Sequence, residues 1–110
     1  MLHYMHLHPK PFEQVANGTK TIEIRINDDK RRRLKVGDTI EFESRADPGR
    51  VVTAEIVALP TFKTFKEMFE AFPPTQYGGE SADEYESMFE HYSKEEETLY
   101  GVVAIQFALR

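Results

Sequence analysis

The heptapeptide KTIEIRI at residues 20–26 constrains this chain more than any other stretch. Ile22, Ile24 and Ile26 fall on one side of an extended backbone, and Thr21, Glu23 and Arg25 fall on the other. A period of two with a β-branched residue at every second position specifies a strand. The expectation is a half-buried strand with an isoleucine core face and a charged outer face. Lys20 lies just before the alternation. Strict alternation places it with the isoleucines, so a partnership with Glu23 requires a bulge or an irregular strand start.

The same period recurs along the chain. Residues 2–7 (LHYMHL), 36–43 (VGDTIEFE), 50–59 (RVVTAEIVAL) and 101–109 (GVVAIQFAL) read as further strands. Gly37-Asp38 turns into the third strand, ADPG at 46–49 is a turn, and Pro60 stops the fourth strand. Pro9 and Pro11 suit the opening of a short helix over 11–17, closed by Gly18. Helical spacing otherwise occurs only between residues 64 and 92. Thr64 and Glu67 form a capping box ahead of Phe65, Met68, Phe69 and Phe72, predicting a helix over 64–72 that Pro73 and Pro74 end. Ser81 and Glu84 form a second box ahead of Tyr85, Met88, Phe89 and Tyr92, predicting a helix over 82–92. Ser93 and Glu96 form a third and open a short turn. Strands bracketing a helical pair, without βαβ alternation, point to an α+β barrel of five to six strands with two to three short helices. Ile22, Ile24, Phe65, Phe69 and Ile105 are its expected core.

A chain of 110 residues suits one domain, 1–110. It has no cysteine, which leaves neither disulfides nor thiolate chemistry. It shows no secretory signal and no apolar run of about 20 residues, so a cytoplasmic location is expected and no membrane partner. The net charge of -5 conceals a strong asymmetry. Residues 20–35 hold seven Lys/Arg and three Asp/Glu, whereas residues 66–97 hold two Lys and ten Asp/Glu. A polyanion would dock on the first of these and be repelled by the second.

The candidate site residues follow from that asymmetry. Lys30-Arg31-Arg32-Arg33 and Lys35 offer dense positive charge, and arginine adds bidentate donors for phosphate. Arg25 would hold an anion, Glu23 would accept donors from a base edge, and Thr21 adds a small polar contact. His3, His6 and His8 match no structural zinc spacing, and no metal or other cofactor is expected. His91 reads as a surface residue. Tyr77, in the loop PPTQYGG, is the aromatic side chain best placed by sequence to stack on a base.

The stretch PFEQVANGTKTIEIRINDDKRRRLKVGDTIEF resembles the ASCH domain family. The resemblance rests on Pro11-Phe12, on Gly18-Thr19-Lys20-Thr21-Ile22-Glu23-Ile24-Arg25, on Lys30-Arg31-Arg32 and on Gly37-Asp38. It continues through Phe65, Tyr92-Ser93-Lys94-Glu95-Glu96-Glu97 and Tyr100-Gly101-Val102-Val103-Ala104-Ile105. It implies a PUA-like β-barrel with a cleft lined by residues 20–25, binding RNA or a modified nucleoside. Some relatives resemble acetylcytidine amidohydrolases that use a lysine, a threonine three residues later and a downstream glutamate. Lys20 matches the lysine, but Glu23 stands where the threonine would be, and a carboxylate does not replace a hydroxyl nucleophile unchanged.

Three readings follow. The first is an RNA-, nucleotide- or modified-nucleoside-binding module with Lys20, Arg25, Lys30, Arg31 and Arg32 supplying charge and Glu23 and Thr21 polar contacts. The second is a hydrolase on a modified nucleoside or RNA, with Lys20 and Glu23 as its catalytic pair. The third is an interaction domain whose acidic helical pair binds a protein partner. The sequence leaves the oligomeric state open.

Overall fold

In the computed structural model, which describes residues 1–110, the alternating segments all become strands of one sheet. The strands are β1 (Leu2–Leu7), β2 (Ile22–Ile26), β3 (Thr39–Ser44), β4 (Val51–Ala58), β5 (Thr61–Phe62) and β6 (Val102–Leu109). Their order is β1-β3-β4-β6-β2, with β5 also paired to β6. β1 runs parallel to β3 and every other pairing is antiparallel. The sheet curls into a half-barrel whose two edge strands, β1 and β2, border one cleft.

The α-helices are α1 (Pro9–Ala16), α2 (Phe65–Ala71) and α3 (Lys94–Tyr100). α1 begins two residues ahead of its expected start because both prolines fit the first turn, where the missing N–H is no loss. Gly18 follows it with φ +83° and donates its N–H to the Val15 carbonyl, as a glycine after a helix end does. The Thr64 hydroxyl accepts from the Glu67 N–H at 3.1 Å, capping α2. At α3 the box is complete: Ser93 Oγ accepts from the Glu96 N–H and the Glu96 carboxylate accepts from the Ser93 N–H, both at 3.0 Å. No helix is long and apolar enough to cross a membrane.

One expectation for the helical pair changes. Residues 82–92 do not form an α-helix; Ala82–Glu90 winds as a 3-10 helix. Its Ser81 cap is present, but Asp83, Glu86 and Glu90 are like charges at i,i+3 and i,i+4, and such pairs weaken an α-helix. Tyr85, Met88, Phe89 and Tyr92 still pack on the core beneath the helices, with the rings of Phe89 and Tyr92 against Phe65 at 5.7 and 5.8 Å. The sixth strand, β5, is only two residues long, too short to show a period. It forms because Pro60 ends β4 while its carbonyl accepts from the Ala104 N–H, returning the chain to β6.

The sheet has a core on each face. One lies inside the curl: Met5, Leu7, Phe12, Val15, Ile40, Phe42, Ile56, Val103, Ile105 and Phe107. The other lies beneath the helices: Ile22, Ile24, Ile26, Phe65, Met68, Phe69, Val102 and Ala104. β6 supplies alternate residues to the two cores. All five expected core residues are buried. The isoleucine face of β2 therefore packs under the helices, and Glu23 and Arg25 point to the opposite side, the concave one.

Candidate functional site

Residues directly opposite in an antiparallel pair share a face. Glu23 lies opposite Ile105 and Arg25 opposite Val103, both members of the inner core. The charged face of β2 is thus an inner wall at the open side of the half-barrel. This corrects the expectation of a charged outer face: Glu23 is only 6% exposed.

β2 begins at Ile22, so Lys20 is not bound by its alternation. The Lys20 N–H donates to the Gln14 carbonyl of α1, and the Thr21 N–H donates to the Gln76 carbonyl. Pinned this way, Lys20 turns its Nζ to 2.9 Å from Glu23 Oε1, through the irregular strand start that such a partnership requires. A guanidinium nitrogen of Arg25 donates to the other oxygen, Oε2, at 2.7 Å. Gly78 closes over this arrangement. With φ +84° it adopts a backbone that side chains rarely take, and a Cβ there would meet Gln14 Oε1 at 2.6 Å and the Lys20 stem at 3.3 Å.

Burial pushes the Glu23 carboxyl up, but the charges and hydrogen bonds of Lys20 and Arg25 outweigh it and hold the group below the usual carboxylate range. Burial alone would lower the Arg25 guanidinium; Glu23 and the Tyr92 hydroxyl outweigh it and raise it. Glu23 is therefore a fixed anion bracketed by two cations.

These three residues line a cleft of about 330 Å³ together with His6, Leu7 and His8 from β1 and its exit, Arg45 after β3, Met88 near the end of the 3-10 helix, and His91 and Tyr92 just after it. Beside it along β1, a second concavity of about 340 Å³ is lined by Leu2–Met5 with Lys30, Arg31 and Leu34. Arg31 is held below the ordinary arginine range by burial and by the like charge of Arg25. The Nε–H groups of Arg25 and Arg31 are both buried without an acceptor.

Of the residues expected from sequence, the structure brings Lys20, Glu23 and Arg25 into one cluster, with Lys30 and Arg31 alongside. It separates Arg32, whose guanidinium donates to the carbonyls of Asn27 and Tyr100, away from both concavities. Thr21 engages through its backbone and does not line the cleft. Tyr77 is not free to stack on a ligand. It is buried, its ring packs on Phe69 at 4.5 Å, and its hydroxyl donates to the Phe69 carbonyl. A tyrosine in a Pro/Gly loop looked exposed because the fold of that loop onto α2 leaves no periodic signal. His3 and His6 each meet one carboxylate, Asp38 at 2.7 Å and Glu43 at 2.9 Å. Arg45, His91 and Tyr92 were not expected in the cleft. They come from two widely separated places in the chain, and no local pattern unites them.

The comparisons agree with this architecture. The ASCH domain model matches residues 5–110. No curated protein matches the chain. The crystal structure of hypothetical protein PH0355 is similar over 100% of both chains, with 33% identity and a TM-score of 0.87. The solution structure of protein PF0455 from Pyrococcus furiosus is similar over 99% of this chain and 97% of its own, with 32% identity and a TM-score of 0.79. A mutant of ZmASCH from Zymomonas mobilis shares the fold at 18% identity and a TM-score of 0.68, this chain covering 66% of its length. With the half-barrel, the cleft at residues 20–25 and a family match over nearly its whole length, the chain belongs to the ASCH domain family.

Proposed function

We propose that the protein binds RNA, a nucleotide or a modified nucleoside in the cleft between β1 and β2. ASCH domains are generally RNA-binding. The observation that carries the reading is the charge of the cleft: Lys20, Arg25 and Arg45 face a single carboxylate, Glu23, with Arg31 close by. Arg25 and Arg31 each keep a buried donor unused, and their like charges oppose each other. An anion between them satisfies the donors and relieves the repulsion. Glu23 keeps free lone pairs beyond those taken by Lys20 and Arg25, and these accept from the amino or imino edge of a base.

The same geometry favours binding over proton abstraction. A general base at neutral pH works best when its pKa lies near the operating pH. Glu23 is displaced the opposite way, and its charge is already shared by two cations.

The test is fluorescence anisotropy with a labelled single-stranded RNA at two salt concentrations. The wild type binds at low salt. Arg25→Gln and Arg45→Gln each weaken binding and lower the salt slope by about 0.7 for every phosphate the variant no longer neutralises. An absence of binding at low salt, or undiminished binding by both variants, contradicts the proposal.

A further inference from the structure

Three of the protein's four histidines, His6, His8 and His91, line the cleft that holds Lys20, Glu23 and Arg25. They arrive from two distant parts of the chain. His6 and His8 flank the end of β1, and His91 follows the 3-10 helix. They do not close around a point as metal ligands do, since no group of three His, Asp or Glu side chains has that geometry anywhere in the molecule. Nor are they packed away: His8 and His91 are exposed and make no side-chain hydrogen bond, and only His6 has a carboxylate, Glu43, at 2.9 Å.

The charged side chains that line the cleft with these rings are mostly of one sign. β2 and its approach present Lys20 and Arg25 with Glu23 between them; the segment after β3 presents Arg45; Tyr92 is next to His91. Glu23 is already bonded to Lys20 and Arg25, so Glu43, beside His6, is the carboxylate left facing a ring. A histidine side chain ordinarily takes up a proton near pH 6.5. A ligand phosphate placed among these rings favours their protonated form.

We infer that the ligand of this cleft carries a phosphate that sits on the histidine rim, and that its binding is coupled to proton uptake by His8 and His91. This rests on the cleft being the binding site, and it narrows the ligand to a phosphate-bearing chain or nucleotide as opposed to a neutral nucleoside. Affinity rises as pH falls, because the protonated rings add charge where the phosphate lies. Each ring whose pKa rises by one unit on binding contributes up to about tenfold.

The probe is a uridine hexamer without a terminal phosphate, whose phosphodiester charge is constant across this range, so any pH response comes from the protein. Anisotropy titrations at pH 5.5 and 7.5 are expected to show binding at least about tenfold tighter at pH 5.5. His8→Gln combined with His91→Gln reduces that ratio to about threefold or less, and uridine itself shows no pH response. Both substituted residues are exposed, and an unchanged circular dichroism spectrum and melting temperature confirm folding. Hexamer binding that is equally tight at both pH values, or a full pH response in the double variant, overturns the inference and leaves the cleft reading intact. No hexamer binding at either pH overturns both.

Discussion

The two faces of β2 are both turned into the protein and are chemically opposite. Ile22 and Ile26 are 0% and 1% exposed beneath the helices, and Glu23 is 6% exposed on the concave side between them. The isoleucine face meets Phe65, Phe69 and Met68, and such apolar burial contributes about 25 cal/mol per Å² removed from water. The charged face meets its own ions. A buried ion pair roughly offsets its own desolvation, and apolar replacement of the whole set is often neutral or stabilising. One face of the strand therefore holds the fold, and the other keeps polar groups at the mouth of a cleft where burial alone would favour aliphatic ones.

The largest effect separating the two faces belongs to the helical side. Phe69→Ala removes a ring packed on Tyr77 and is expected to cost about 3–5 kcal/mol of stability. Chemical denaturation measures it, and a loss below about 1 kcal/mol would mean that the helical layer does not carry the fold.

The ionic side gives a two-part result. Lys20→Ala alone leaves Glu23 buried with half its compensation and should destabilise by about 3 kcal/mol. Replacing the whole set (Lys20→Met, Glu23→Leu and Arg25→Met together) should restore stability to within about 2 kcal/mol of wild type while abolishing RNA binding. A triple variant less stable than Lys20→Ala would show that the ions hold the fold, and the contrast between the faces would collapse.

A smaller effect appears with pH. Asp38, outside the cleft, accepts from His3, the N-terminus and the Lys35 N–H, and the His3 bond leads in drawing its pKa down to about 2. Glu23 is lowered too, Lys20 and Arg25 overcoming its burial. A carboxyl with a depressed folded-state pKa contributes stability that is fully present above its unfolded value, about 4, and is lost as pH falls through the folded one. Denaturation midpoints should therefore be level above about pH 5 and decline towards pH 2, with a shallower decline in Asp38→Asn. An identical acid profile in that variant would show that Asp38 contributes nothing to the acid response.

The isoleucine face was readable from sequence because a period of two needs only neighbours in the chain. Capping boxes at Ser81 and Ser93 were readable for the same reason, since each is a contact across three residues. The 3-10 winding of Ala82–Glu90 was not, because its aromatic spacing fits a 3-10 helix and an α-helix alike. Lys20, Glu23 and Arg25 were legible as a constellation from the strand and its irregular start. Arg45, His8, His91 and Tyr92 join them only through the curl of the sheet and the packing of the helical layer, long-range events with no local signature. The basic run at 30–33 was the loudest charge signal, yet it divides: Lys30 and Arg31 border the second concavity, and Arg32 is occupied by backbone carbonyls.

The most direct measurement of the central claim is a two-dimensional 1H–15N NMR titration of the wild type with a uridine hexamer. The largest amide shifts should fall at Lys20 to Arg25, Arg45 and His91 to Tyr92, with smaller ones at Lys30 and Arg31. The broad depression on another part of the surface, lined by Asn27, Thr61–Thr64, Glu67 and Thr98–Gly101, serves as the internal control and should be unmoved. Shifts concentrated in that depression, or confined to Arg32 and Arg33 with the cleft silent, would contradict the assignment of binding to the charged face of β2.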